Sequence, residues 1–270
     1  MTGFQIVLLA QSRLISMDDL TLVLTMGRVG SSAVYHAVKI GGPDVLHIHH
    51  IKAGSLLKRS PLNLTKAAPS RNVFDGYRAR ALLEVAPVRP VKIVTLVRDP
   101  IERNISASFI RFCKRGNLEQ LNDLVTDPVT TDPIWARKDL SLPYRYFDDE
   151  FRDELGIDLY QTDVATRGHG QVEVGRFNTL AMHSVLPDDV KSEVLSTFLG
   201  RDVTVGRTGR KTSEGGELQE LYKRFESTCP LTEADIRKAA ESRFVQHFFA
   251  VDTNEYVAKW KTRLNLTEVV

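Results

Sequence analysis

The run Val91-Lys-Ile-Val-Thr-Leu-Val97 is followed, after a single residue, by Asp99-Pro100. A short, nearly all-apolar run rich in β-branched residues makes a strand covered on both faces. Asp99 then reads as a helix N-cap and Pro100 as the first helical residue, where proline's missing N–H costs nothing. A strand that turns straight into a helix is half of a parallel crossover, since parallel neighbours cannot be joined by a tight hairpin. The same pattern occurs earlier in the chain. Leu20-Thr-Leu-Val-Leu-Thr25 reads as a buried strand, followed by a glycine-containing turn and a helix from about Ser31 to Ile40. Gly41-Gly42-Pro43 stops that helix. Val45-Leu-His-Ile48 is a second short strand, and Asp75 to Val85 is helical, bounded by Pro87 and Pro90. The expected class is α/β, a central parallel sheet flanked by helices.

The second half is less regular. Asn117 to Pro143 reads as a surface excursion with one short helix, Tyr144 to Leu155 as a helix and Gln171 to Arg176 as a strand. Leu186 to Leu199 is amphipathic, with Val190, Val194, Leu195 and Phe198 on one face. Thr232 caps a helix on which Ile236, Ala240, Phe244 and Phe248 form one stripe, read as core packing. Asn254 to Leu264 closes the chain as a helix. With 270 residues and 42% hydrophobic composition, one large domain with insertions suffices. A formal net charge of +2 argues against a chain built to coat nucleic acid. Cys113 and Cys229, far apart, form neither a disulfide framework nor a zinc cluster, which suits a reducing, cytoplasmic setting. The apolar patch Phe4–Ala10 has no basic leader and is too short for a membrane span. The glycosylation-type triplets at Asn63, Asn104 and Asn265 are then chance matches.

Two strand-to-helix loops carry chemistry. In Leu24-Thr-Met-Gly-Arg-Val-Gly-Ser-Ser-Ala33, glycines let successive backbone N–H groups and a helix N-terminus converge on one anion. Ser31 and Ser32 add hydroxyl donors, and Arg28 adds a forked, permanent cation. The spacing is not that of a Walker A loop: no lysine follows the second glycine, and the cation precedes it. In Val97-Arg-Asp-Pro-Ile-Glu-Arg-Asn-Ile-Ser106, Arg98 stands at the carboxyl end of its strand, where open α/β sheets place ligand groups. Ser106 follows eight residues on in the next helix, with Arg103 on a neighbouring face. Taken singly, the first loop is equally an ordinary tight turn. The second, taken singly, is better explained as a capped helix with Arg98 or Arg103 paired to Asp99 or Glu102.

Together the loops resemble the sulfotransferases that use 3′-phosphoadenosine 5′-phosphosulfate (PAPS), including the carbohydrate and tyrosyl-protein branches. That family's first loop is a Lys or Arg, one residue, Gly and two Ser/Thr residues opening a helix, here Arg28-Val-Gly-Ser-Ser32. Its second is Arg-Asp-Pro with a serine eight residues after the arginine, here Arg98-Asp-Pro100 with Ser106. The resemblance covers roughly residues 20 to 110 well and the rest more loosely. Tyr144-Arg-Tyr-Phe-Asp-Asp-Glu150 and Gly156-Ile-Asp-Leu-Tyr160 are similar to the central segment of a bacterial group of capsular polysaccharide synthesis proteins. The resemblance implies a P-loop NTPase-like sulfotransferase fold in one domain, with a cofactor-binding core at about residues 18–115 and acceptor-side and closing segments at about 116–265. It implies that Arg28, Val29, Gly30, Ser31 and Ser32 hold the 5′-phosphosulfate and that Arg98 and Ser106 hold the 3′-phosphate. No metal is required in principle, because the leaving group is a phosphate already held by cations and amides. The acceptor is a hydroxyl, on a carbohydrate by analogy.

The acceptor hydroxyl needs a base, and Leu46-His-Ile-His-His50 is the candidate region. Period-two alternation puts Val45, His47 and His49 on one face and Leu46, Ile48 and His50 on the other. In the tyrosyl-protein branch a glutamate base follows a Pro-Asp-Val segment. Here Pro43-Asp-Val45 leads to His49 at the matching offset, so His49 is ranked first, His50 second and His47 third. For His47 a hydrogen-bonded core role is the stronger reading, and the trio as metal ligands is a minor alternative. The late loop Gly206-Arg-Thr-Gly-Arg-Lys-Thr-Ser213 is a candidate clamp through Arg210 or Lys211, or a solvated basic loop. His169, between two glycines, reads as a turn residue, and Trp135 with Tyr144 to Phe147 as acceptor cleft or core. The alternative functions are a nucleotide-dependent phosphotransferase, which lacks its P-loop lysine here, and a non-catalytic nucleotide-binding protein on the same fold.

Overall fold

The computed structural model describes residues 20–42, 44–59, 71–135, 141–206 and 216–266. Arg210 and Lys211, the Phe4–Ala10 patch, Asn63 and Pro43 lie outside the described residues. The chain divides into two compact units, the first made of Met1–Val97 with Arg145–Thr208 and the second of Arg98–Tyr144 with Gly209–Val270.

The first unit holds a five-stranded sheet of order β2-β1-β3-β5-β4. Its strands are β1 (Leu20–Leu24), β2 (Val45–Ile48), β3 (Val91–Val97), β4 (His169–Val174) and β5 (Phe177–His183). β2, β1, β3 and β5 run parallel, as expected for this α/β class, and β4 adds antiparallel to β5 at one edge. The expected central parallel sheet therefore carries one antiparallel strand at its edge. The exception arises because Val174 and Phe177 are joined by only Gly175-Arg176, and a two-residue connection can only reverse the chain. Gly175 takes φ +57°, the left-handed conformation such a hairpin turn demands. β1 is buried at every position and β3 at all but Lys92, so both faces of the centre are covered. Each Val, Leu or Ile so enclosed contributes roughly 1.5–3 kcal/mol over an exposed one, which outweighs any local propensity.

Helices α1 (Ser31–Lys39), α2 (Ala53–Arg59) and α3 (Arg71–Val85) form the crossovers between β1, β2 and β3. Gly41 at φ +76° and the Arg201 guanidinium, bonded to the Val38 and Ile40 carbonyls, end α1. α3 begins four residues before the expected Asp75. His169, expected in a turn, is the first residue of β4 and pairs with Met182. The expected helix over Tyr144–Leu155 is continuous but changes pitch. It runs as α7 (Leu142–Phe147), a π-helical turn Asp148–Arg152 and α8 (Asp153–Leu155), ended by Gly156 at φ +73°. The short α9 (Val164–Arg167) precedes β4, and α10 (Asp188–Leu199) follows β5.

The second unit is helical. Asp99 caps α4 (Pro100–Phe112) by accepting from the Ile101 and Glu102 N–H groups at 2.9 and 3.1 Å, the start read from Asp99-Pro100. The surface excursion with one helix is instead two helices, α5 (Leu118–Leu124) and α6 (Pro128–Trp135). Asn117 opens α5 with a reciprocal capping box, and Trp135 of α6 stacks on Phe225 at 4.7 Å. Phe225 belongs to α11 (Glu217–Ser227), whose apolar face also meets Phe109 and Phe112 of α4. The stripe Ile236, Ala240, Phe244 and Phe248 is buried as core, but on two helices. α12 (Glu233–Ala240) ends at Glu241, and Ser242 caps α13 (Arg243–Phe249). α14 (Thr253–Leu264) closes the description. Among the described residues no helix is long and apolar enough to cross a membrane.

Candidate functional site

Within the first unit, the segment after β1 is held in an uncommon backbone. Gly27, Arg28 and Gly30 have φ of +75°, +63° and +80°. Left-handed residues next to ordinary ones turn successive amides toward one side, a concavity suited to an anion. Gly30 is also the N-cap of α1, and as a glycine it brings no side-chain cap of its own to that helix end. The N-terminal amides of α1 and its dipole carry positive character there. Val29 is buried beneath the loop, while Arg28 and Ser32 are exposed. An arginine at φ +63° is conformationally costly, by roughly 1–2 kcal/mol. Ser31 is buried, its Oγ 2.8 Å from Nε2 of His47.

The three histidines separate as strand alternation requires. His47 and His49 lie on one side with rings 5.1 Å apart, edge to face, while His50 points elsewhere and meets Glu150. His47 is enclosed, stacked on Tyr35 at 5.0 Å and bonded to Ser31. Burial, then the neighbouring His49, His36 and Arg71, depress its pKa to about 4, so it is neutral at pH 7. His49 is half-buried, with Nδ1 2.9 Å from the Thr25 carbonyl. A carbonyl only accepts, so Nδ1 carries the hydrogen and the neutral ring bears its lone pair on Nε2. That ring lies over the loop, and a side chain on Gly27 would meet its Cδ2, Nε2 and Cε1 at 3.6–3.7 Å.

His50 is buried and its Nδ1 stands 2.7 Å from Glu150 Oε1. Glu150 is 1% exposed, and its Oε2 accepts the backbone N–H groups of Ile51 and Lys52 at 2.6 and 2.8 Å. Burial alone would raise this carboxyl's pKa, but the bonds from His50, Lys52 and Ile51 outweigh it and hold the group below its ordinary range. Tyr146, also buried, donates its hydroxyl to the His49 carbonyl at 3.0 Å. Sequence reasoning did not single out Glu150, and it reached Tyr146 only within the Tyr144–Phe147 stretch read as acceptor cleft or core. Their partners are about a hundred residues away, and the only local trace is their spacing of four on a helical segment. Among the described residues no group of three or more His, Cys, Asp or Glu side chains could hold a metal ion.

In the second unit, Arg98 is half-buried with Nε 3.3 Å from Glu102 Oε2, the helix-face pair that its sequence context allowed. The other Glu102 oxygen accepts from Arg263 Nη1 at 3.2 Å. Arg263 Nη2 lies 2.9 Å from Glu226, and its guanidinium covers Trp260 at 4.7 Å. Burial opposes ionisation of Glu102, but Arg98 and Arg263 together hold its pKa below the ordinary value. Arg103 is buried and donates to Asn104 Oδ1 at 2.8 Å, and Ser106 is half-buried on α4. Trp135, Tyr146 and Phe147 are buried core residues rather than exposed cleft residues. β1 and β3 are adjacent and parallel, so the two loops singled out in the sequence follow strands that end at the same edge of the sheet. Comparison with protein-family models, with curated proteins and with solved structures finds no match to this chain.

Proposed function

We propose that this chain is a sulfotransferase that moves the sulfuryl group of PAPS to an acceptor hydroxyl, on a P-loop NTPase-like sulfotransferase fold. The observation that carries the reading is the loop after β1. It has left-handed backbone at Gly27, Arg28 and Gly30, a helix N-terminus whose cap is a glycine, and the His49 ring lying over Gly27. The residues fit a phosphosulfate, because a backbone concavity and a helix N-terminus supply donors where an anion needs them. PAPS, when bound, supplies the sulfuryl group and a phosphate leaving group. The loop amides of Gly30, Ser31 and Ser32 with Arg28 hold the 5′ end and stabilise charge developing on the departing oxygen. Arg28 acts as a fixed cation and not as an acid, since a guanidinium keeps its protons at ordinary pH. His49 takes the acceptor's proton at Nε2, the nitrogen left basic by its Thr25 bond. Arg98 and Ser106 are assigned to the 3′-phosphate on the motif alone. A carbohydrate hydroxyl is the acceptor class the resemblance favours.

Calorimetric titration with 3′-phosphoadenosine 5′-phosphate, beside AMP and ATP and with or without magnesium, tests this. Metal-independent binding that requires the 3′-phosphate, weakened about tenfold or more by Arg98→Ala and by Arg28→Ala, is expected from loss of a charge-assisted contact. Tighter binding of ATP with magnesium would instead indicate a phosphotransferase. Indifference to the 3′-phosphate removes the sulfotransferase reading.

A further inference from the structure

Residues 49–52, where the chain leaves β2, are bonded at several polar positions by the first unit's segment 146–154. The His49 carbonyl accepts from Tyr146 and the His50 ring donates to Glu150. The N–H groups of Ile51 and Lys52 also go to Glu150. The Ile51 carbonyl accepts from Arg80 at 2.8 Å, and Arg80 is itself paired with Glu154. Lys52 Nζ lies 3.1 Å from Asp149 and 3.7 Å from Asp153. Glu150 reaches this position from the centre of the π-helical turn, where one extra residue per turn re-aims a side chain and often marks a functional site.

We infer that Tyr146 and Glu150 are positioning residues for the histidine pair, fixing the backbone of His49 and holding His50 with Nδ1 protonated and Nε2 basic. A carboxylate with three donors on two oxygens cannot itself donate, so the His50 proton must lie on Nδ1. Nearby, Lys52 beyond β2 pairs with Asp149 of the π turn and Asp153 of α8, and Arg80 of α3 pairs with Glu154. Such an arrangement is the second-layer support that makes a general base precise, since an imidazole's tautomer is set by what its other nitrogen bonds. The inference rests on the proposed transfer reaction only for what the basic nitrogens act upon.

The test is nitrogen NMR of histidine rings in the full-length protein, assigned through His49→Gln and His50→Gln. In the wild type, both rings are expected to show Nδ1 protonated above pH 7. In Glu150→Gln the amide oxygen keeps the two backbone donors and its NH2 faces His50, so the His50 proton moves to Nε2 and its two nitrogen shifts exchange. Tyr146→Phe deletes one hydroxyl, and the His49 ring is expected to lose its single-tautomer signal while His50 keeps its own. A wild-type His50 protonated on Nε2, or a folded Glu150→Gln with both rings unchanged, overturns the inference. Should Glu150→Gln fail to fold, the wild-type spectrum and Tyr146→Phe still decide it. Affinity for 3′-phosphoadenosine 5′-phosphate is expected to stay within about twofold in both variants, the usual range for changes outside a contact set. Absence of that binding in the wild type would remove the sulfotransferase reading and leave the ring spectra to judge Tyr146 and Glu150.

Discussion

For His47, burial makes a positive charge costly, and His49, His36 and Arg71 add repulsion. Its folded pKa of about 4 lies below the 6.5 of an exposed imidazole, with direct consequences for stability. Above pH 6.5 neither folded nor unfolded chain holds the proton, and the group contributes nothing to pH dependence. Between 6.5 and 4 the unfolded chain takes up a proton that the folded one refuses, so stability falls as pH falls. The shift corresponds to a loss of about 3 kcal/mol across that window. Glu150, held below its ordinary value, adds its own loss only at more acid pH. Urea unfolding of the wild type between pH 7 and 4.5 is expected to lose stability steadily, and His47→Gln, which cannot titrate, to flatten that slope. Parallel slopes would mean that His47 is protonated within the fold.

Helix α3 packs on the end of β2 through Gly76. A Cβ there would stand 2.6 Å from Leu56 Cδ2 and 2.8 Å from the His50 carbonyl oxygen. The leucine tip can swing aside, but the carbonyl can yield only by moving the residues that carry His49 and His50. Alanine is the better helix former by about 1 kcal/mol, so propensity alone predicts that Gly76→Ala stabilises. Overpacking against backbone costs about 1–3 kcal/mol and is expected to win, giving a net loss in chemical denaturation. A gain in stability would show that this contact is slack. Gly76 also illustrates what sequence could tell at this scale. β1, β2, β3, α1 and α4 were legible because buried β-branched runs, Gly41 and Asp99-Pro100 mark them locally. β5 was not, since Phe177-Asn-Thr-Leu-Ala-Met-His183 is poor in β-branched residues and is a strand through its pairing with β3. The break between α12 and α13 was hidden because their buried stripe keeps its spacing across Glu241-Ser242. The phosphate loop and the histidines were legible as residue types in order. Glu150 was not, because its role comes from contact with residues 99 and 100 positions away.

At the scale of the whole molecule, neither unit is a continuous stretch of chain. The first unit breaks off at Val97 and resumes at Arg145, and the resumed part supplies β5 and β4. β3 sits in the middle of the sheet because β5 pairs along its full length, from Val91 with Phe177 to Val97 with His183. A fragment of residues 1–144 would retain β2, β1 and β3 but expose β3 as a new edge carrying Val91, Ile93, Val94, Leu96 and Val97. A long, flat, apolar edge strand is a template for intermolecular pairing. The same fragment also loses Glu150 and Tyr146, so the Ile51 and Lys52 N–H groups and the His49 carbonyl lose the partners they have in the whole chain. We therefore expect residues 1–144 to be aggregated or unfolded when expressed alone, whereas supplying residues 145–270 as a separate chain in the same cell should restore solubility in part. Size-exclusion chromatography with circular dichroism of the two preparations distinguishes the outcomes. A soluble, monomeric, cooperatively melting 1–144 fragment would show that the sheet's first three strands hold together without β5, and that the interrupted connectivity carries little of the fold's stability.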